Sequence, residues 1–166
     1  MRKAVWSSLF TAAAFLCVAA PAFAQATANG SISVNANINA RARLTFGAAS
    51  VTFADADPDT VPTLSSAAVT IDVRARTSQA GNVTLTVLAT GDLLSGTDAI
   101  GINNLTWTVT GAGFVGGTAN STVAQTVGSW TGSGSPSGTQ TFALPNSWAY
   151  NTGTYTTTLN YTLTVP

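Results

Sequence analysis

From residue 31 to residue 46 the chain alternates without a break. Ile32, Val34, Ala36, Ile38, Ala40, Ala42, Leu44 and Phe46 occupy every even position, and Ser31, Ser33, Asn35, Asn37, Asn39, Arg41, Arg43 and Thr45 every odd one. Successive side chains of a strand point to opposite faces, so this run sorts into an apolar and a polar face only when extended. At about 3.3 Å per residue it would span roughly 50 Å, whereas a typical strand has only about 5–6 residues. One small domain can hardly use it all as a single strand. The run is therefore expected to divide into an N-terminal segment, 25–39, that pairs elsewhere, and the first strand of a domain covering 40–166. The alternative is one long bent strand that switches between the two sheets of its own domain.

An export signal precedes the run. Arg2 and Lys3 form its positive start, residues 4–20 are mostly apolar, and Ala22-Phe23-Ala24 is a small-x-small cleavage site, with the cut expected between Ala24 and Gln25. Phe15 and Leu16 stand before Cys17 where a lipoprotein signal wants small residues, so a secreted protein is expected. No later segment is apolar for long enough to span a membrane.

Charge is sparse. Charged residues make up 7% of the chain, against about 25% in an average domain. Beyond the signal the cations are Arg41, Arg43, Arg74 and Arg76, and the anions Asp55, Asp57, Asp59, Asp72, Asp92 and Asp98. So few cations argue against a nucleic-acid partner. The chain has no His and no Glu, so the usual residues of general acid–base catalysis and of a Ser-His-Asp triad are missing. Two carboxylates can serve a glycosidase, but nothing places two of these aspartates across a cleft, and no enzyme is expected. The single cysteine, Cys17, leaves with the signal. That rules out a disulfide, a thiolate metal site and a cysteine nucleophile in the mature chain, and no cofactor is expected. A surface of Thr, Ser, Asn and Gly with few charges suits burial in an assembly.

The mature sequence reads as all-β, with Thr/Val-rich alternating runs punctuated by Gly, Asn, Ser and Pro. A short edge strand is expected over 50–54, a loop over 55–62, and a strand over 68–77 with Val69, Ile71, Val73 and Ala75 facing in. The turn 79–82 suggests a hairpin with the next strand, whose Val83, Leu85, Val87 and Ala89 face the core. A long connection over 90–104 leads to a strand with Leu105, Trp107 and Val109 inward. After a glycine-rich turn at 111–118, a weaker strand follows through Val123 and Val127, then one with Phe142 and Leu144 on one face. The last run sets Tyr155, Thr157, Leu159, Tyr161, Leu163 and Val165 on a single face. Regular strands with turn signals argue for an antiparallel β-sandwich, immunoglobulin-like in type.

The two ends belong together in this reading. A sandwich that closes on such a strand lacks one edge strand, and its core is open as a groove there. A strand donated by a neighbouring molecule would fill it, as in donor-strand complementation. The ending Gly153-Thr154-Tyr155-Thr156-Thr157-Thr158-Leu159-Asn160-Tyr161-Thr162-Leu163 resembles the closing strand of chaperone–usher pilins and of the related spore coat protein U-type subunits, the archaic branch of that system. Residues 30–40 resemble their donor strand. The resemblance implies a pilus or fimbrial subunit held by a periplasmic chaperone, passed to an outer-membrane usher and polymerised into a surface fibre, with roles in adhesion and biofilm. Such pilins often carry a disulfide between early strands, and this chain departs from them there. The expected interface residues are Ile32, Val34, Ala36 and Ile38 on the donor strand, and Tyr155, Leu159, Tyr161, Leu163 and Val165 in the acceptor groove.

Other features carry other readings. Asp55, Asp57 and Asp59 place carboxylates at alternate loop positions, a weak calcium candidate that reads equally as an Asx-rich turn. Trp107, Trp130 and Trp148 with Tyr150, Tyr155 and Tyr161 would suit a sugar-binding platform, although Trp107 between Leu105 and Val109 reads as core. The pairs Arg41/Arg43 and Arg74/Arg76 lie on outward strand faces, solvated or set against a neighbouring subunit's aspartates. A monomeric secreted sandwich that binds a glycan or surface partner, and a coat or matrix protein that associates without strand exchange, therefore stand beside the fibre subunit.

Overall fold

The computed structural model describes residues 25–166; the expected export signal, 1–24, lies outside the described residues. The described chain is built of antiparallel strands with one 3-10 turn. It divides into a segment ending at Ala36 and a compact unit, Asn37–Pro166. In the segment, residues 25–36 form no strand, and Ile32 and Val34 are 92% and 88% exposed.

The strands of the compact unit are β1 (Arg41–Phe46), β2 (Thr63–Ser65), β3 (Val69–Arg76), β4 (Asn82–Ala89), β5 (Leu93–Ser95), β6 (Asp98–Ile100), β7 (Thr106–Thr110), β8 (Gly117–Thr118), β9 (Gln125–Thr131), β10 (Ser137–Pro145) and β11 (Leu159–Thr164). One sheet has the order β1-β3-β10-β7-β8, with β2 also on β10; the other is β11-β4-β9; β5 and β6 form a small separate hairpin. The core lies between the two sheets. Ile71 and Val73 of β3, Trp107 of β7 and Phe142 and Leu144 of β10 meet Leu85 and Val87 of β4 and Val127 of β9. The alternation of each strand produces this, because a residue every second position faces one side. Trp107 also donates from its indole Nε1 to Val115 O at 3.0 Å. Its ring lies against Gly117, where a Cβ would stand 2.7 Å from Cζ2, so the close approach needs glycine.

Five local expectations change. The weaker strand starts at Gln125, leaving Val123 exposed outside it, and the last strand starts at Leu159, leaving Tyr155 and Thr157 outside it. β3 and β4 are not a hairpin. Both edges of β3 are taken by β1 and β10, and both edges of β4 by β11 and β9, so residues 77–81 carry the chain from one sheet to the other. Residues 50–54 form no strand, for no neighbouring strand pairs with them among the described residues. The connection 90–104 is structured: it holds the β5–β6 hairpin and a 3-10 turn, Ile102–Asn104, where Asp92 Oδ1 accepts from Ile102 N at 2.8 Å.

Leu85 has no exposed surface and sits midway along the central strand of its sheet. Leu85→Ala is expected to cost about 2–5 kcal/mol, through lost burial and the cavity left behind. Urea unfolding would show this as a lower midpoint at unchanged slope.

Candidate functional site

On one side of the sandwich both sheets end in a free edge. β1 closes the order of one sheet and β11 that of the other, and each pairs with a single neighbour. The consequence is visible in burial. On β4 every inward residue is fully buried, whereas Leu159, Tyr161 and Leu163 of β11 and Leu44 and Phe46 of β1 are only half-buried, although their alternation is as strict. Side chains aimed at a core stay half-wet at a free sheet edge, where no further strand covers them.

Between these edges runs an apolar groove of about 740 Å³. Leu44 and Phe46 form one wall, Val51 and Phe53 of the irregular stretch after β1 a second, and Leu159 and Tyr161 the third. The rings of Phe46 and Tyr161 meet with centroids 4.8 Å apart and planes tilted by 57°, the one aromatic contact between the facing edge strands.

Gln140 lines the groove from β10. It occupies a core position in the alternation Gly138, Gln140, Phe142, Leu144 and is 1% exposed. Its Oε1 accepts from Tyr161 Oη at 2.7 Å, while Nε2 has no partner. Burial pushes the Tyr161 phenol well above its ordinary range, and the Gln140 hydrogen bond works against that shift. The phenol donates this hydrogen bond, and among the described residues the amide NH2 is left unsatisfied, a costly state for a buried donor. Tyr161→Phe would leave Oε1 unpaired as well. It is expected to lower stability by about 1–3 kcal/mol, measurable by denaturant unfolding.

Of the expected groove residues, Tyr155, Leu159 and Tyr161 line it; Leu163 and Val165 are half-buried beyond it. The sequence reading passed over Leu44, Phe46, Val51, Phe53 and Gln140. A single polar residue inside the apolar parity of β10 was the signal for Gln140. Nothing local marks the β1 residues, whose role depends on which edge β1 takes. The expected donor residues carry no strand: Ile38 is 69% exposed, and Ile32 and Val34 more so.

The aromatic residues do not make one platform. Trp107 is core, Trp130 stacks edge-on against Phe114 with centroids 4.9 Å apart, and Trp148 is 71% exposed, donating to Asp59 Oδ1 at 3.1 Å. The three loop aspartates do not converge either. Asp57 Oδ1 accepts from Asp59 N at 2.9 Å as an Asx turn, and among the described residues no group of three or more potential ligands is placed to hold a metal. No helix among the described residues is long and apolar enough to cross a membrane. No protein-family model and no curated protein matches the chain.

Proposed function

We propose that the protein is a structural subunit of an extracellular fibre, in which residues 31–38 of one copy add a strand to the free edge of β11 in the next. The observation that carries this reading is a complementary pair within one chain. An apolar groove lies open between two sheet edges, and an alternating segment exposes Ile32, Val34 and Ile38. The fit is one of chemistry: a strand brings a backbone ladder for the free edge and apolar side chains at every second residue for the groove. Each buried Val or Ile is worth roughly 1.5–3 kcal/mol, so three of them and a ladder make a long-lived joint.

The sandwich is then immunoglobulin-like with its last edge strand supplied in trans. The resemblance to chaperone–usher pilins extends the reading to export through a bacterial periplasm, a chaperone that shields the groove before assembly, and an outer-membrane usher. Heterologous contacts of this kind give filaments where the rotation between copies does not close a ring.

Negative-stain electron microscopy of the mature protein beside a form lacking residues 31–39 tests the reading. Filaments from the full chain alone support it. Filaments from both would place assembly on the low-charge surface, and compact monomers from both would return the segment to its own domain.

A further inference from the structure

All four arginines of the described chain stand on one patch. β1 and β3 pair in the register Arg41↔Arg76 and Arg43↔Arg74, so the cations lie directly opposite one another on the outward face, all exposed. With Gly134 and Ser135 they line a shallow depression. Like charges directly across a ladder destabilise it, and among the described residues no ion pair offsets them. Arg76 Nε donates to Asn39 O at 2.8 Å; the other three guanidinium groups have no hydrogen bond within the described chain. The nearest acid on this face is Asp72, opposite Thr45.

The opposite end of the same sheet carries the reverse charge. β10 runs from Ser137, opposite Asp72, to Pro145. There Asn146 Nδ2 donates to Ala56 O at 2.9 Å and Val61 O at 3.0 Å, and Trp148 donates to Asp59. These contacts hold the loop with Asp55, Asp57 and Asp59, all exposed, at the far end. At roughly 3.4 Å per strand residue, the ladder from Arg76 along β3 and on to Pro145 is about 40 Å long. The chain enters β1 at the arginine end, next to Asn39. The groove lies toward the aspartate end: its walls include the residues after β1 and the start of β11, which pairs Leu159 with Ala89 at the last residue of β4.

We infer that the arginine patch of one subunit docks on the Asp55–Asp59 loop of the next copy, so that charge sets the polarity and speed of fibre growth. This rests on the strand-addition reading. If residues 31–38 fill a neighbour's groove, only Asn39 and Ala40 separate the joint from Arg41. From Ile38 to Arg41 is three residue steps, at most about 11 Å, close to the Debye length of about 8–10 Å at 0.15–0.1 M salt. At low salt, where the Debye length grows to about 30 Å, the facing ends feel each other. A neighbour presenting its own arginine end would be repelled, and one presenting its aspartate end is attracted. Complementary patches of this kind raise association rates more than final affinity.

The test is growth of the mature full-length protein, followed by light scattering across a range of ionic strength. Wild-type growth is expected to slow as salt rises. Arg41→Gln/Arg43→Gln/Arg74→Gln, which keeps the Arg76–Asn39 contact, is expected to grow about tenfold more slowly at low salt and to lose most salt dependence. Arg43→Glu/Arg74→Glu is expected to stall and to recover when Asp55→Arg/Asp59→Arg is added in the same chain. Unchanged growth of the glutamine variant, or no recovery in the swap, overturns the docking alone. If short-chain polyphosphate binds wild type and not the glutamine variant while both grow alike, the patch serves an outside anion and the docking is likewise overturned. Wild type that forms no polymer at any salt overturns the strand-addition reading, and the docking falls with it.

Discussion

An Ile38→Asp subunit is expected to be exported and folded, yet to form no polymer. Ile38 is 69% exposed in the single chain, and substitutions at such surface positions usually change stability by less than about 0.5 kcal/mol. In the joint the same residue would be a knob in an apolar groove. The variant loses roughly 1.5–3 kcal/mol of burial and must in addition desolvate a carboxylate, which costs several kcal/mol more. At about 1.4 kcal/mol per factor of ten, each joint weakens by at least about a thousandfold. The measurement is gel filtration and electron microscopy of secreted protein at equal concentration. Wild-type filament length from the variant would remove residues 31–38 from the joint.

The second large effect comes from the other side of the same joint. Leu159→Asp places a charge on the groove wall, at a half-buried position on an edge strand, so the sandwich itself should survive. Alone, this variant keeps a good arm and a spoiled groove, and Ile38→Asp keeps the reverse. Mixed in equal amounts, the two are expected to give heterodimers and nothing longer, because one functional arm meets one functional groove and the dimer then offers neither. Association by a low-charge surface would show no such arithmetic: each variant alone would polymerise, or the mixture would remain monomeric. Sedimentation velocity separates these outcomes.

Much of the fold was legible along the chain because burial on a sheet face is local and periodic. The alternations Val69–Ile71–Val73, Val83–Leu85–Val87 and Phe142–Leu144 named core residues that are indeed buried. The strand over 69–76 and the loop rich in aspartate also stand where composition put them. Pairing was a different matter. A turn between two alternating runs looks like a hairpin whether the second strand folds back beside the first or crosses to the opposite sheet, and residues 77–81 cross.

The candidate site divides in the same way. Tyr155, Leu159 and Tyr161 could be read from one alternating run, as could Ile32, Val34 and Ile38 from another. Leu44, Phe46, Val51, Phe53 and Gln140 could not, since they join the groove only when β1 takes the edge facing β11 and β10 passes beneath. The arginines show the limit most plainly: two pairs in sequence became one four-membered patch because β1 and β3 pair in a register that sets like against like.

By itself, then, the sequence determined the all-β character, the face each strand turns inward, and the scarcity of charge, each a property of residues read in order. The tertiary structure alone decided which edges stay free, how the groove closes around Gln140, and where the charges collect. The reason is that a strand's periodicity specifies its inner face but not its neighbour, and neighbours are settled by long-range packing between sheets.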